Sequence, residues 1–291
     1  ELTGGNGMVE MGTFVAILLG TMLGGALVAI PETGAHYVAI VSIIVAIIGR
    51  VMAGMVPHSP ASDPNLKINW NPFTETWRNL LIAKQNRTVF LSLLGISWLW
   101  FFGSIFLTSF TGFAKTVIGG SESVVTLLLA LFSIGIGVGS LLCEKLSGSK
   151  VEIGLVPFGS IGMTIFAIDL YFASRGLQPG AVVGATEMLT QWQYIRVMID
   201  LFLLALFGGL FSVPLYALIQ HRCEPAYRAR IIAANNILGA IFMVTASIMA
   251  AGLAMAGFSL PQIFLVTGIL NALVAIYIYT IVPEFLMRFV T

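Results

Sequence analysis

Hydrophobic residues run along this chain in long blocks separated by short polar intervals. Eight blocks stand out: residues 5–30, 36–56, 88–114, 122–143, 153–174, 195–219, 231–254 and 260–283. A membrane-crossing helix needs about 20 mostly apolar residues, rising 1.5 Å each, to cover about 30 Å of hydrocarbon. None of the blocks alternates with period two, so the strands of a lipid-facing barrel are not indicated. Helices satisfy their own backbone hydrogen bonds in lipid and are the expected element. The pattern predicts an all-α integral membrane protein with eight transmembrane helices.

Only one polar interval is long. Residues 57–87, "PHSPASDPNLKINWNPFTETWRNLLIAKQNR", are rich in proline and polar side chains. They divide the chain into a helix pair (1–56), a linker (57–87) and a set of six helices (88–291). Inside the linker, "PFTETWRNLLIAKQ" is amphipathic, with Trp77, Leu80 and Leu81 on one side and Arg78 and Lys84 elsewhere. That pattern predicts a short helix lying on a membrane surface.

Composition agrees with the blocks. The chain is 58% hydrophobic and 9% charged, with a mean hydropathy of +0.97, whereas soluble domains carry about 25% charged residues. The net charge of +1 says little, but the placement of the charges says more. With the 57–87 linker in the cytoplasm, that side holds Arg50, Lys67, Arg78, Lys84, Arg87, Lys145, Lys150, Arg222, Arg228, Arg230 and Arg288. The other side holds Lys115, Arg175 and Arg196. This positive-inside bias places both termini of the chain in the cytoplasm. Cys143 and Cys223 form neither a disulfide framework nor a metal spacing and read as reduced, small apolar residues.

A charge or amide in hydrocarbon costs a few kcal/mol, so it normally faces a partner or a water-filled cavity. Asn6, Glu10 and Thr13 stand at i, i+4 and i+7 and share one helix face. Either they line a cavity, with Glu10 meeting a cation, or they form interhelical hydrogen bonds. Asp169 and Asp200 each lie near a helix end. Arg196, four residues before Asp200, suggests a local ion pair. Asp169 has no charged neighbour at i±3 or i±4, which leaves a coupling-ion or gating role beside a cross-helix bond. Trp98, Phe102 and Phe106 share a face that either meets an acyl chain or packs between helices. Gly135 and Gly139 have the small-xxx-small spacing of close helix packing.

The stretch "QHRCEPAYRARIIAANNIL" (220–238) concentrates polarity. Arg222, Arg228 and Arg230 anchor a cytoplasmic loop on anionic lipid. Alternatively, the guanidinium of Arg228 or Arg230 holds a phosphate. Asn235 and Asn236 enter the membrane about 100° apart on their helix. One is therefore expected to face a cavity and the other a neighbouring helix.

Four stretches carry a family resemblance. In "SLLCEKLSGSK" (140–150), Ser140, Glu144, Lys145, Gly148 and Lys150 match a turn of major facilitator transporters that sets a small residue before an acid, a base, a glycine and a second base. Ser replaces Gly, Glu replaces Asp and Lys replaces Arg. Together with "GGNGMVEMGTFVAILLGTMLGG" (4–25), "LLGISWLWFFGSIFLTSF" (93–110) and "PAYRARIIAANNI" (225–237), the chain resembles the lysophospholipid transporter branch of the major facilitator superfamily. The resemblance covers essentially the whole chain, as the last two helices of an N-terminal half-bundle and a complete six-helix C-terminal half. Four earlier helices are then expected upstream of Glu1.

The resemblance implies a secondary transporter moving lysophospholipid, above all lysophosphatidylethanolamine, across or between leaflets of a bacterial inner membrane. Two half-bundles would rock about a midplane site. On this reading Asn6, Glu10, Thr13, Trp98, Asn235 and Asn236 line the cavity, Asp169, Asp200, Glu144 and Lys145 serve coupling or gating, and Arg228 and Arg230 are the phosphate candidates. The implied partners are phospholipid or lysophospholipid, membrane lipid and a fused or associated acyltransferase. Two other readings stay open: a major facilitator efflux transporter for a drug or metabolite, and a membrane anchor for such an acyltransferase.

Enzyme signatures are weak. His58 and Asp63 have the H-x4-D spacing of glycerolipid acyltransferases, but they sit in a proline-rich linker too short for a catalytic fold. There is no Gly-rich phosphate loop, no G-x-S-x-G and no H-E-x-x-H. His36, His58 and His221 are far apart. No catalytic residue, cofactor, metal or nucleic-acid partner is expected.

Overall fold

Each apolar block forms a helix. The computed structural model describes residues 2–28, 30–58, 69–148, 152–180 and 182–281. Lys67, Lys150, Arg288 and Asp63 lie outside these. Helices α1 (Leu2–Val28), α2 (Gly34–Gly54), α4 (Arg87–Gly112), α5 (Glu122–Leu146), α6 (Leu155–Ser174), α8 (Trp192–Arg222), α9 (Arg228–Met255) and α10 (Leu260–Ile281) give eight spans long and apolar enough to cross a membrane. Two shorter α-helices, α3 (Pro72–Gln85) and α7 (Ala185–Thr190), complete the set among the described residues. Among the described residues the only β pairing is an isolated bridge between Gly120 and Val183.

Short polar residues punctuate the helices. Asn71 caps α3, its Oδ1 accepting from the amides of Phe73 (3.0 Å) and Thr74 (3.2 Å), and Pro72 takes the first helical position. Asn86 ends α3 and caps α4, its Oδ1 accepting from Val89 N at 3.2 Å. The amphipathic part of the linker is thus the helix its pattern predicts. The fourth element overruns its predicted end at 114. α4 passes directly into a π-helical turn, Phe113–Ile118, which stops at Gly119 with φ of 74°. Glycine carries that left-handed conformation without a Cβ clash.

The chain divides into two compact units, residues 16–68 and residues 1–15 with 69–291. In the smaller unit, the end of α1 turns back into α2. Gly34 makes the turn possible, since a Cβ there would lie 2.6 Å from Leu27 O and 2.8 Å from Val28 O. Apart from Gly34, α2 buries no residue, and between His36 and Arg50 it carries no charge, as suits a span in lipid.

In the larger unit α8 is the central helix, packed against α5 and α6, while α4 lies against α8 and α9 and α10 lies against α6. Glycines bring the backbones together. A Cβ on Gly135 would lie 2.5 Å from Phe202 O, and one on Gly209 would lie 2.6 Å from both Ile136 O and Ser140 N. The α5–α8 crossing is therefore backbone against backbone, the packing the Gly135/Gly139 spacing predicts.

The aromatic face of α4 goes into the core. Phe102 packs on Phe106 (4.9 Å between ring centroids), Phe106 on Phe264 (4.5 Å) and Phe264 on Phe113 (5.3 Å). Trp98 joins a polar knot between α4, α6 and α10. Its Nε1 donates to Asn271 Oδ1 at 2.7 Å, and Asn271 Nδ2 donates to Ser160 O and Thr164 Oγ1, both at 2.9 Å. Ser160 also bonds Tyr279. Asn271 is 1% exposed. Truncating it to alanine strands the indole N–H of Trp98, and an orphaned buried group costs about 1–3 kcal/mol. Asn271→Ala is expected to lower the melting temperature of the purified protein clearly, and Trp98→Phe in the same background to recover part of the loss.

The ion pair on α8 differs from expectation. Arg196 does not pair with Asp200 one turn along; it crosses to Asp169 on α6, with Nη2 on Oδ1 and Nε on Oδ2 at 3.4 Å. Two causes favour this. A base four residues before an acid is the weaker orientation on a helix, and the cross-helix partner offers both oxygens to the guanidinium fork. Asp200 sits behind the pair, 2% exposed, and its Oδ2 accepts no hydrogen bond.

Candidate functional site

The polar face of α1 meets the α8 terminus. Gln220 Nε2 donates to Asn6 Oδ1 at 2.8 Å, and Asn6 Nδ2 donates back to Gln220 Oε1 at 3.4 Å. One turn along α1, Glu10 is buried at 6% exposure. Opposite it, Trp100 Nε1 donates to Tyr216 OH at 3.4 Å. With Ile219, Ile232, Asn235 and Asn236 these residues enclose a cavity of about 220 Å³. The 3.6-residue repeat explains the convergence: Asn6, Glu10 and Thr13 share a face of α1, and Tyr216 and Gln220 share a face of α8.

Both asparagines border this cavity. A separation of about 100° on the helix prevents them from meeting one small partner, but a cavity is wide enough to be flanked by two neighbouring positions. Asn235 is 7% exposed, and its Oδ1 is buried without a hydrogen-bond partner. Asn236 is exposed. Thr13 also lines the cavity, but its hydroxyl donates to Val9 O of its own helix at 2.9 Å.

The cavity continues. A second space of about 220 Å³ shares Trp100, Tyr216, Asn235 and Asn236, then runs along α9 past Gly239, Ala240 and Met243. Behind Glu10 lies a small apolar void of about 20 Å³. There Phe14 stacks on Trp100 with ring centroids 6.3 Å apart. The arrangement is polar at one end (Glu10, Asn6, Gln220, Asn235) and apolar along α9. It suits a molecule with a polar head and an apolar tail.

Other candidate residues lie elsewhere. Trp98 is held by Asn271 and does not reach this cavity; the indole that does is Trp100. Asp169 and Asp200 sit together on α6 and α8 outside it. Arg230 pairs with Glu75 of α3 at 3.4 Å, and Arg228 Nη2 donates to Gln220 O at 3.4 Å, so neither lines the cavity wall. Glu144 lies against the first turn of α1, where a Cβ on Gly4 would come 2.6 Å from its Cδ. Lys145 beside it is exposed. Burial pushes the Cys223 thiol up, which suits an unreactive, small apolar residue.

Trp100, Tyr216 and Gln220 escaped sequence reasoning. Trp98 and Trp100 stand about 200° apart on α4, so only one can line a given cavity, and composition does not say which. Tyr216 and Gln220 carried a signal as an i, i+4 polar pair at the end of a span.

Among the described residues, eight membrane-length helices define a multi-pass helical membrane protein, and its larger unit holds a buried polar site. Comparison with known proteins narrows the class. The chain is 28% identical over 246 residues to the lysophospholipid transporter LplT of Klebsiella pneumoniae (strain 342), and 27% identical over 242 residues to that of Escherichia coli O1:K1 / APEC. Each match covers 81% of this chain and 55% of the relative. This chain is thus a homologue of lysophospholipid transporters and spans about half the length of the curated relatives it matches. No family model matches it, and no solved structure does.

Proposed function

We propose that this chain forms part of a secondary transporter of the major facilitator type that moves lysophospholipid across or between leaflets of a bacterial inner membrane. Lysophosphatidylethanolamine is the substrate of choice. One observation carries the reading: a polar cavity and an apolar groove of equal volume meet at Trp100, Tyr216, Asn235 and Asn236. The curated relatives, named as lysophospholipid transporters, support it. Glu10 and the free Oδ1 of Asn235 offer acceptors for an ammonium group. Asn236, exposed on the cavity, is the donor for a phosphodiester. The acyl chain follows Gly239, Ala240 and Met243. Alternating access by rocking half-bundles is the accompanying mechanism, with cytoplasmic termini as the charge distribution implies. An acyltransferase that consumes the delivered lysolipid is the partner this reading calls for.

Reconstitution tests it. Vesicles containing the protein are expected to move labelled lysophosphatidylethanolamine out of reach of albumin extraction. Glycerophosphoethanolamine, which keeps the head but lacks the tail, is expected to compete poorly. Absence of protein-dependent movement would overturn the reading. Movement of a drug or metabolite alone would favour efflux.

A further inference from the structure

Helix α3 carries two stripes at four-residue spacing on opposite faces. Glu75, Asn79 and Ala83 turn inward. Glu75 pairs with Arg230 of α9, the carboxylate and guanidinium being 25% and 20% exposed. Asn79 Oδ1 is buried, and Ala83 is fully buried. Phe73, Trp77 and Leu81 turn outward, at 86%, 66% and 49% exposure, and Trp70 just ahead of the helix is 87% exposed. At 3.6 residues per turn the three outward residues fall within about 80° of one another, with Lys84 in the same sector and Arg78 about 60° beyond it. Phe73, not the half-buried Leu80, completes the stripe begun by Trp77 and Leu81.

The position of this stripe identifies what covers it. α3 ends at Asn86, and α4, a membrane span, begins at Arg87. Asn86 Nδ2 donates to Arg222 O, the last residue of α8, at 3.4 Å. Arg230, the inward partner of α3, opens α9. The stripe therefore lies at the level where three membrane spans end, the depth of the headgroup layer. Its chemistry matches that depth: exposed tryptophan and phenylalanine among cations are the residues of membrane interfaces. Arg78 keeps its side chain 59% exposed although its Nη1 comes 3.7 Å from Glu75 Oε1, and Lys84 is exposed. Both are placed to meet lipid phosphate.

We propose that α3 is seated in the headgroup–acyl boundary of the bilayer, with Phe73, Trp77 and Leu81 in lipid and Arg78 and Lys84 on lipid phosphate. The Glu75–Arg230 pair then ties α9 to the membrane surface. The inference does not depend on what the protein transports.

Quenching by brominated lipid tests it on the whole reconstituted protein. Vesicles of phosphatidylglycerol carry bromine either high or low on the acyl chain. Shallow bromines are expected to quench more than deep ones, and Trp77→Phe is expected to lose part of that shallow quenching. If the Trp77 component is quenched by aqueous acrylamide instead, the face is in water. If it is insensitive to both quenchers, another protein surface covers it. Either result overturns the proposal, as does a Trp77→Phe profile identical to the parent. Arg78→Gln with Lys84→Gln leaves the indole in place. This double variant is expected to lose shallow quenching in phosphatidylglycerol more than in phosphatidylcholine. Equal losses in the two lipids would overturn the ionic contact.

Discussion

Valine in place of Gly139 is expected to leave no stable helical bundle. The space a Cβ would need there is already filled by the backbone of Leu206 on α8. A backbone cannot rotate away as a side chain can. Gly135 meets Phe202 O in the same seam, and Gly209 meets Ile136 O and Ser140 N from the other side, so the two helices cannot separate at one point without losing contact at the others. Overpacking a core costs about 1–3 kcal/mol and occasionally more, a large part of a total stability of about 5–15 kcal/mol. Backbone-against-backbone contact belongs at the upper end. Size-exclusion profile and melting temperature in detergent are the readouts. Gly252→Val is the control, because nothing lies within 4 Å of a Cβ at that position. Equal stability of the two variants would show that the α5–α8 crossing is looser than described.

Asn236→Leu is expected to weaken lysolipid transport about 10- to 100-fold, since a hydrogen bond to a charged group contributes about 1.5–3 kcal/mol and each 1.4 kcal/mol is tenfold. The position suits the test: Asn236 is exposed to the cavity, so the change strands no buried partner. Glu10→Gln, which keeps shape and removes charge, is expected to reduce transport of an ammonium-bearing lysolipid more than that of a lysolipid with an uncharged head. Thr13→Val is expected to have little effect, because the Thr13 hydroxyl already serves Val9 O. Initial rates in vesicles at graded substrate concentration measure all three. Wild-type rates for Asn236→Leu would remove that residue from the substrate path.

Much of the fold was legible because a membrane span declares itself by length and apolarity, and small residues declare close packing. The eight spans and the Gly135/Gly139 seam follow from those two rules. The polar face of α1 was legible for a similar reason, since periodicity places Asn6, Glu10 and Thr13 on one side of their own helix. Periodicity does not say which helix that side will meet. The partners of the face, Trp100, Tyr216 and Gln220, come from two other helices, and their selection is a tertiary fact. Arg196 shows the same limit on a longer side chain: its neighbour in sequence was Asp200, but its reach took it to Asp169. Arg230 was legible as a loop cation and illegible as the partner of Glu75, 155 residues away.

Two indoles two residues apart stand in unlike surroundings. Trp98 is sealed in the core with its N–H fixed on Asn271, while Trp100 borders the polar cavity, the apolar groove and the void behind Glu10. A molecule entering either space must alter the local polarity around Trp100 and leave Trp98 as it was. With Trp70, Trp77 and Trp192 replaced by phenylalanine, the helix therefore carries an intrinsic optical probe of occupancy together with its own internal standard, and emission from the pair can follow loading of the site without any attached dye.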